Sequence, residues 1–227
     1  MPAIELHQLP GGLYVCVVPT ALAPSLLVGS DVGGELPGTM RRRGQFVVGR
    51  EAARLAMKAL GAEHKGIGIG TEGEPLFPAG VRGSISHTHR HSLAVVGWER
   101  AYRAIGIDID DARPLGDAAA GGVTWKTEVK RIQRAMELGA PSAQNFAFSA
   151  KEAIFKCQYP LTLNASLTAL QARLLPAEDE PSVCLRVAGW RVNVKTSQVL
   201  SAIVVSRQVL AAGVLALATI AEPCSNA

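Results

Sequence analysis

The sequence predicts an α+β protein of two similar-sized lobes that meet near residue 110. Three observations carry this. A chain of 227 residues is long enough for one large domain or two small ones. Its 48% hydrophobic and 19% charged residues are ordinary globular usage, which excludes a mainly disordered chain. Each half reads as helix followed by strands, which fits α+β lobes spanning residues 1–110 and 111–227.

The elements follow in order. Residues 13–18 are a short apolar run, read as a strand. Residues 29–44 are glycine-rich, end in Arg41-Arg42-Arg43-Gly44 and read as a loop. Residues 45–60 have helical periodicity, with Phe46, Ala53, Met57 and Leu60 on one face and Gly61 as the terminating glycine. Residues 66–83 are turn-rich, and residues 84–86, 92–98 and 101–109 read as strands. Residues 111–122 are polar, then Ala/Gly-rich, and read as a linker or mobile loop. Residues 125–138 form a basic amphipathic helix ended by Gly139, and 149–157 another helix, with Pro160 beyond its end. Strands are expected at 183–188, 190–195, 199–206 and 214–220.

Aromatics are only 5%, so the core is aliphatic and alanine-rich. A net charge of +4 fits an anionic partner without demanding nucleic acid. The four cysteines are scattered with no CxxC, which argues against a zinc knuckle and for a reducing compartment. The N-terminal segment does not read as a secretory signal. The most apolar stretch, 209–221, is too short for the ~20 residues of a membrane span. A soluble cytoplasmic protein is expected.

Four constellations bear on chemistry. In Ile105-Gly106-Ile107-Asp108-Ile109-Asp110, strand alternation sends Asp108 and Asp110 to one side. Paired carboxylates repel and ask for a cation, for which Mg²⁺ is chemically suited. The plain alternative is a solvated strand end. In Phe148-Ser149-Ala150-Lys151-Glu152-Ala153, Ser149 and Glu152 have capping-box spacing, so Glu152 has a purely structural reading, as has its i,i+4 pairing with Lys156. In Gly83-Ser84-Ile85-Ser86-His87-Thr88, a histidine among hydroxyl residues at a strand end suits phosphate contact. The alternation of His87, His89 and His91 also admits zinc or a merely exposed cluster. Finally, Arg50 borders an apolar helical stripe, where a guanidinium needs a partner such as a phosphate or must snorkel outward.

Together these segments resemble the 4′-phosphopantetheinyl transferases, in their two-lobed, surfactin-type and enterobactin-synthetase-D-like branch. Gly49-Arg50 with Ala52-Ala53 and Ala59-Leu60, Gly73-Glu74-Pro75 through Phe77-Pro78, and the three segments around His87, Asp108 and Glu152 stand in the family's order across residues 41–160. The resemblance implies two pseudo-symmetric α+β lobes with coenzyme A in the cleft between them, and a monomer. It implies transfer of the phosphopantetheine arm to a serine of an acyl or peptidyl carrier protein, releasing adenosine 3′,5′-bisphosphate. It assigns Asp108, Asp110 and Glu152 to Mg²⁺, Glu152 or a bound water to the base, and Lys156 to the phosphates or the leaving oxygen. It assigns Arg50, Ser86 and His87 to coenzyme A. Glu74 departs from the basic or small residue common there, and Arg82 or the Arg41–Arg43 run is the expected substitute for the missing charge. The basic helix bearing Lys126, Lys130, Arg131 and Arg134 is either a docking surface for an acidic carrier or simply solvated. Two competing readings are a Mg²⁺-dependent pyrophosphohydrolase acting on coenzyme A or a nucleotide, and a non-enzymatic nucleotide- or nucleic-acid-binding protein. No RNA-binding aromatic signature favours the last.

Overall fold

A computed structural model describes residues 3–28, 39–62, 66–110, 126–163, 172–176, 184–190 and 202–222. The chain divides into two compact units, residues 1–101 and 102–227. Both mix helices with antiparallel sheet, the α+β class expected.

In the first unit, β1 (Glu5–Leu9), β2 (Leu13–Pro19), β5 (Val81–His87) and β6 (His91–Trp98) form an antiparallel sheet in the order β1-β2-β6-β5. A short helix α1 (Ala23–Val28) precedes α2 (Met40–Leu60), which packs on β2, β5 and β6. The small hairpin β3 (Gly68–Ile69) and β4 (Pro75–Leu76) completes the unit. The core is built from Cys16, Val18, Val48, Ala53, Met57 and Ala94, aliphatic and small as the composition required. Small residues on α2 let it lie close to the sheet: a side chain at Gly49 would collide with Ile85. Gly61 ends α2 in the left-handed conformation, φ 78°, as its position implied. The helix begins earlier than the sequence suggested. The Thr39 side chain accepts the Arg42 N–H at 3.3 Å as N-cap, so Arg41–Gly44 form its first turn rather than a loop.

In the second unit, β7 (Tyr102–Asp110), β8 (Ala172–Pro176), β9 (Cys184–Trp190), β10 (Val204–Leu210) and β11 (Gly213–Ala221) form an antiparallel sheet in the order β7-β11-β10-β9-β8. Strand β7, assigned from sequence to the end of the first lobe, pairs along its length with β11, Asp108 opposite Ala216 and Asp110 opposite Val214. Helix α3 (Lys126–Met136) packs on α4 (Ala140–Thr162) and β8, and α4 packs on β7 and β11. Phe146, Ile154, Ile132, Leu174, Val205 and Ala218 are among the core residues.

Three local expectations change here. Helix α4 starts at Ala140, not at Ser149, because Gly139 serves as N-cap, a proline occupies the first turn, and residues 143–148 continue the apolar stripe. Pro160 lies inside its last turns, and Leu163 closes it at φ 51°. Helix α3 ends at Met136, with Glu137 rather than Gly139 taking positive φ, 52°. Strands β1 and β8 were not anticipated. Residues 111–125 and 191–201, which hold the expected linker and one expected strand, lie outside the described residues. No described helix is long and apolar enough to cross a membrane.

Candidate active site

Ala104, Gly106, Asp108 and Asp110 alternate onto one face of β7, the face that meets α4. At Gly106 the contact is backbone to backbone, since any side chain there would collide with the Ala153 carbonyl and the Cys157 N–H. Further along, the same face changes from small residues to the two carboxylates, both half-buried.

Helix α4 answers them with a polar stripe. Asn145, Ser149, Glu152 and Lys156 are spaced by four, three and four, so they fall within about 60° of one another around the helix. Lys156 Nζ donates to Asp108 Oδ1 at 2.9 Å and to the Ile107 carbonyl at 3.0 Å. Asn145 Nδ2 donates to Asp110 Oδ1 at 3.1 Å. Glu152 is half-buried between these contacts. Burial raises its carboxyl pKa, Lys156 opposes the rise, and the nearby Asp108 charge adds to it. Because Ser149 is buried in mid-helix, the capping-box reading of Glu152 falls away. Asn145 is not among the sequence-predicted site residues, because the capping-box pattern places the helix start at Ser149 rather than Ala140; its spacing from Glu152 is the signal that would find it.

Three carboxylates with hard oxygen donors suit a divalent cation in their chemistry. Their present geometry is looser. Among the described residues no three His, Cys, Asp or Glu side chains gather as a ligand group, and this applies equally to His87, His89 and His91. Asp108 is held by the Lys156 ammonium and Asp110 by the Asn145 amide.

The anion-contact candidates lie in the first unit. The Arg50 guanidinium stacks on Phe46, 3.5 Å from the ring centroid, and Nη2 donates to the Gly68 carbonyl at 3.2 Å. Burial pushes its pKa down to about 10, so it remains cationic at neutral pH. His87, exposed at the end of β5, takes a 2.7 Å hydrogen bond at Nε2 from Arg42 Nη1. Arginine can only donate, so the imidazole Nε2 is the acceptor in this contact. Arg42 reaches His87 because the first turn of α2 is helical. Ser86 lies on the opposite face of β5 and is buried, so it is not grouped with His87.

The departure at Glu74 has a local explanation. Its carboxylate accepts the Glu72 N–H at 3.0 Å inside the β3–β4 turn. Arg82 pairs with Glu99, and Arg42 of the Arg41–Arg43 run lies beside His87. On α3, Lys126, Lys130, Arg131 and Arg134 are all exposed while Glu128 and Ile132 are buried.

Comparison with known proteins follows the same lines. Residues 38–97, which include Arg50, Ser86 and His87, match the 4′-phosphopantetheinyl transferase N-terminal domain. The chain is 34% identical over 125 residues to 4′-phosphopantetheinyl transferase Npt of Nocardia iowensis, covering 54% of each. It is 34% identical over 122 residues to 4′-phosphopantetheinyl transferase PptT of Mycobacterium tuberculosis, covering 54% of this chain and 53% of that one. It is 34% identical over 149 residues to enterobactin synthase component D of Salmonella typhi, covering 60% and 61%. The matches thus span about half to three-fifths of those relatives. The resemblance carried by the motifs therefore holds over these stretches: the chain is similar to the 4′-phosphopantetheinyl transferases and to the enterobactin synthase D components.

Proposed function

We propose that this protein transfers the 4′-phosphopantetheine arm of coenzyme A to a serine of an apo acyl or peptidyl carrier protein, releasing adenosine 3′,5′-bisphosphate. The observation that carries the reading is the apposition of Asp108, Lys156 and Glu152 across β7 and α4, in a chain whose relatives are named for this transfer. The serine oxygen attacks the pantetheine-side phosphorus of the pyrophosphate, one P–O bond forms, and the bond to the nucleotide phosphate breaks.

Glu152 receives the serine proton. Burial raises its carboxyl pKa, but the same carboxylate would be a weaker base while it holds Mg²⁺, and a bound water is then the alternative proton acceptor. Lys156 turns from Asp108 toward the pyrophosphate and either neutralises it or protonates the leaving oxygen. Asp108, Asp110 and Glu152 are the residues to hold Mg²⁺, which when bound would neutralise charge on both phosphates. Arg50 and the Arg42–His87 pair contact coenzyme A through phosphate oxygens. The reaction is assigned to the cytoplasm and to a single chain. A reducing compartment suits Cys16 and Cys157, both buried free thiols.

The test is the intact mass of an apo-carrier after incubation with the protein, coenzyme A and Mg²⁺. A gain of one phosphopantetheine unit is the expected result. Coenzyme A cleaved equally well without carrier, and carrier mass unchanged, would replace transfer by hydrolysis.

The exposed basic face of α3 is the docking surface for an acidic carrier. The double charge reversal Lys130→Glu/Arg134→Glu is expected to lower kcat/KM for such a carrier by about tenfold at low salt, and less at high salt. Unchanged kinetics at low salt would reject this role.

A further inference from the structure

Lys151 stands next to Glu152 on α4 and is fully buried. Its Nζ lies 2.9 Å from Glu128 Oε2 on α3, and the Glu128 side chain is 2% exposed. The other oxygen of that carboxylate, Oε1, accepts the Leu174 backbone N–H of β8 at 2.7 Å. One carboxylate therefore ties together α3, α4 and β8.

Consecutive helical residues are about 100° apart. Lys151 consequently leaves α4 well away from the stripe of Asn145, Glu152 and Lys156. On the opposite flank, Ala153 and Cys157 rest against Gly106 of β7. The helix is gripped on two sides, and the polar stripe emerges between the grips, over Asp108 and Asp110. A rotation of α4 about its axis would break the buried ion pair on one side or drive backbone into β7 on the other.

The surroundings make an ion pair an unusual choice. Ile132, Ile154 and Leu174 belong to the same apolar core. Removing two charges from water is costly, and a well-packed apolar pair is often as stable or more so. What an apolar pair lacks is direction. The Lys151–Glu128–Leu174 contacts are directional and permit one rotation of the helix.

We infer that the buried Lys151–Glu128 pair is a positioning device for the reaction, setting the rotation of α4 that brings Glu152 and Lys156 to Asp108. Lys151 pairs with Glu128 on a different side of α4 from Glu152 and Lys156, so it is a positioning residue. The inference rests on the transferase reading above.

The decisive variant is Lys151→Met/Glu128→Gln. It removes both charges together, conserves volume, and leaves an acceptor for the Leu174 N–H. Melting temperature reports folding, carrier loading is split into kcat and KM for coenzyme A, and Mn²⁺ binding is followed by electron paramagnetic resonance. The expected result is a folded protein with KM for coenzyme A within about twofold of wild type, kcat at least tenfold lower, and weaker Mn²⁺ binding. A folded double variant with wild-type kcat and Mn²⁺ affinity overturns the inference. Should the double variant not fold, Lys151→Arg keeps the charge but alters its reach. A folded Lys151→Arg protein with reduced kcat supports the positioning role, and one with wild-type kcat overturns it. Wild-type protein that neither loads the carrier nor binds Mn²⁺ defeats the transferase reading itself, a result distinct from the others.

Discussion

Gly106→Ala is expected to destabilise the second unit by about 3 kcal/mol and to abolish carrier loading, at the upper end of ordinary overpacking costs. The added methyl has nowhere to go. It would collide with the Ala153 carbonyl oxygen and the Cys157 nitrogen, both backbone atoms of α4, and with the Cys157 side chain. A flexible neighbour could swing aside, but helix backbone moves only as a body. Relief requires α4 to lift from β7, which pulls Lys156 from Asp108 and Asn145 from Asp110. The effect is one of packing alone, because Gly106 does not have positive φ. Urea denaturation measures the stability change. A loss under about 0.5 kcal/mol, the size of a bland surface substitution, would mean that the helix and strand are not locked at this point.

Glu152→Gln is expected to lower carrier loading by about 10²- to 10⁴-fold, the range of a lost general base. The same substitution should raise stability at neutral pH. Burial chiefly raises the Glu152 carboxyl pKa, Lys156 opposes this, and Asp108 reinforces it. A carboxyl raised in the folded state contributes stability below its unfolded value of 4.5, and that contribution disappears as pH rises through the folded value. The wild-type protein thus carries a strained carboxylate at pH 7, and glutamine does not. Melting temperatures in EDTA should be higher for Glu152→Gln at pH 7 and converge with wild type near pH 4. A variant that melts below wild type at pH 7 would show that the carboxylate is stabilised in the fold, and its role as a strained base would be lost.

Much of the fold was legible because it depends on short-range periodicity. The end of α2 at Gly61, the strand of Leu13–Pro19 and the shared side of Asp108 and Asp110 follow from backbone preferences and alternation within a few residues. The local pattern misled where two local solutions competed. Ser149 and Glu152 have the spacing of a helix start, yet the apolar stripe continuing upstream to Ala143 makes the longer helix better packed, and the cap is not used.

By itself, then, the sequence determined the α+β class, the family resemblance, and which acidic and basic side chains are candidates for the chemistry. Tertiary structure decided what those side chains meet: Lys156 with Asp108, 48 positions away, Arg42 with His87, 45 away, and Glu128 with the N–H of Leu174, 46 away. Periodicity reports which face of an element a residue occupies. Which other face arrives opposite it depends on close packing between distant segments, as at Gly106, where the backbones of β7 and α4 touch.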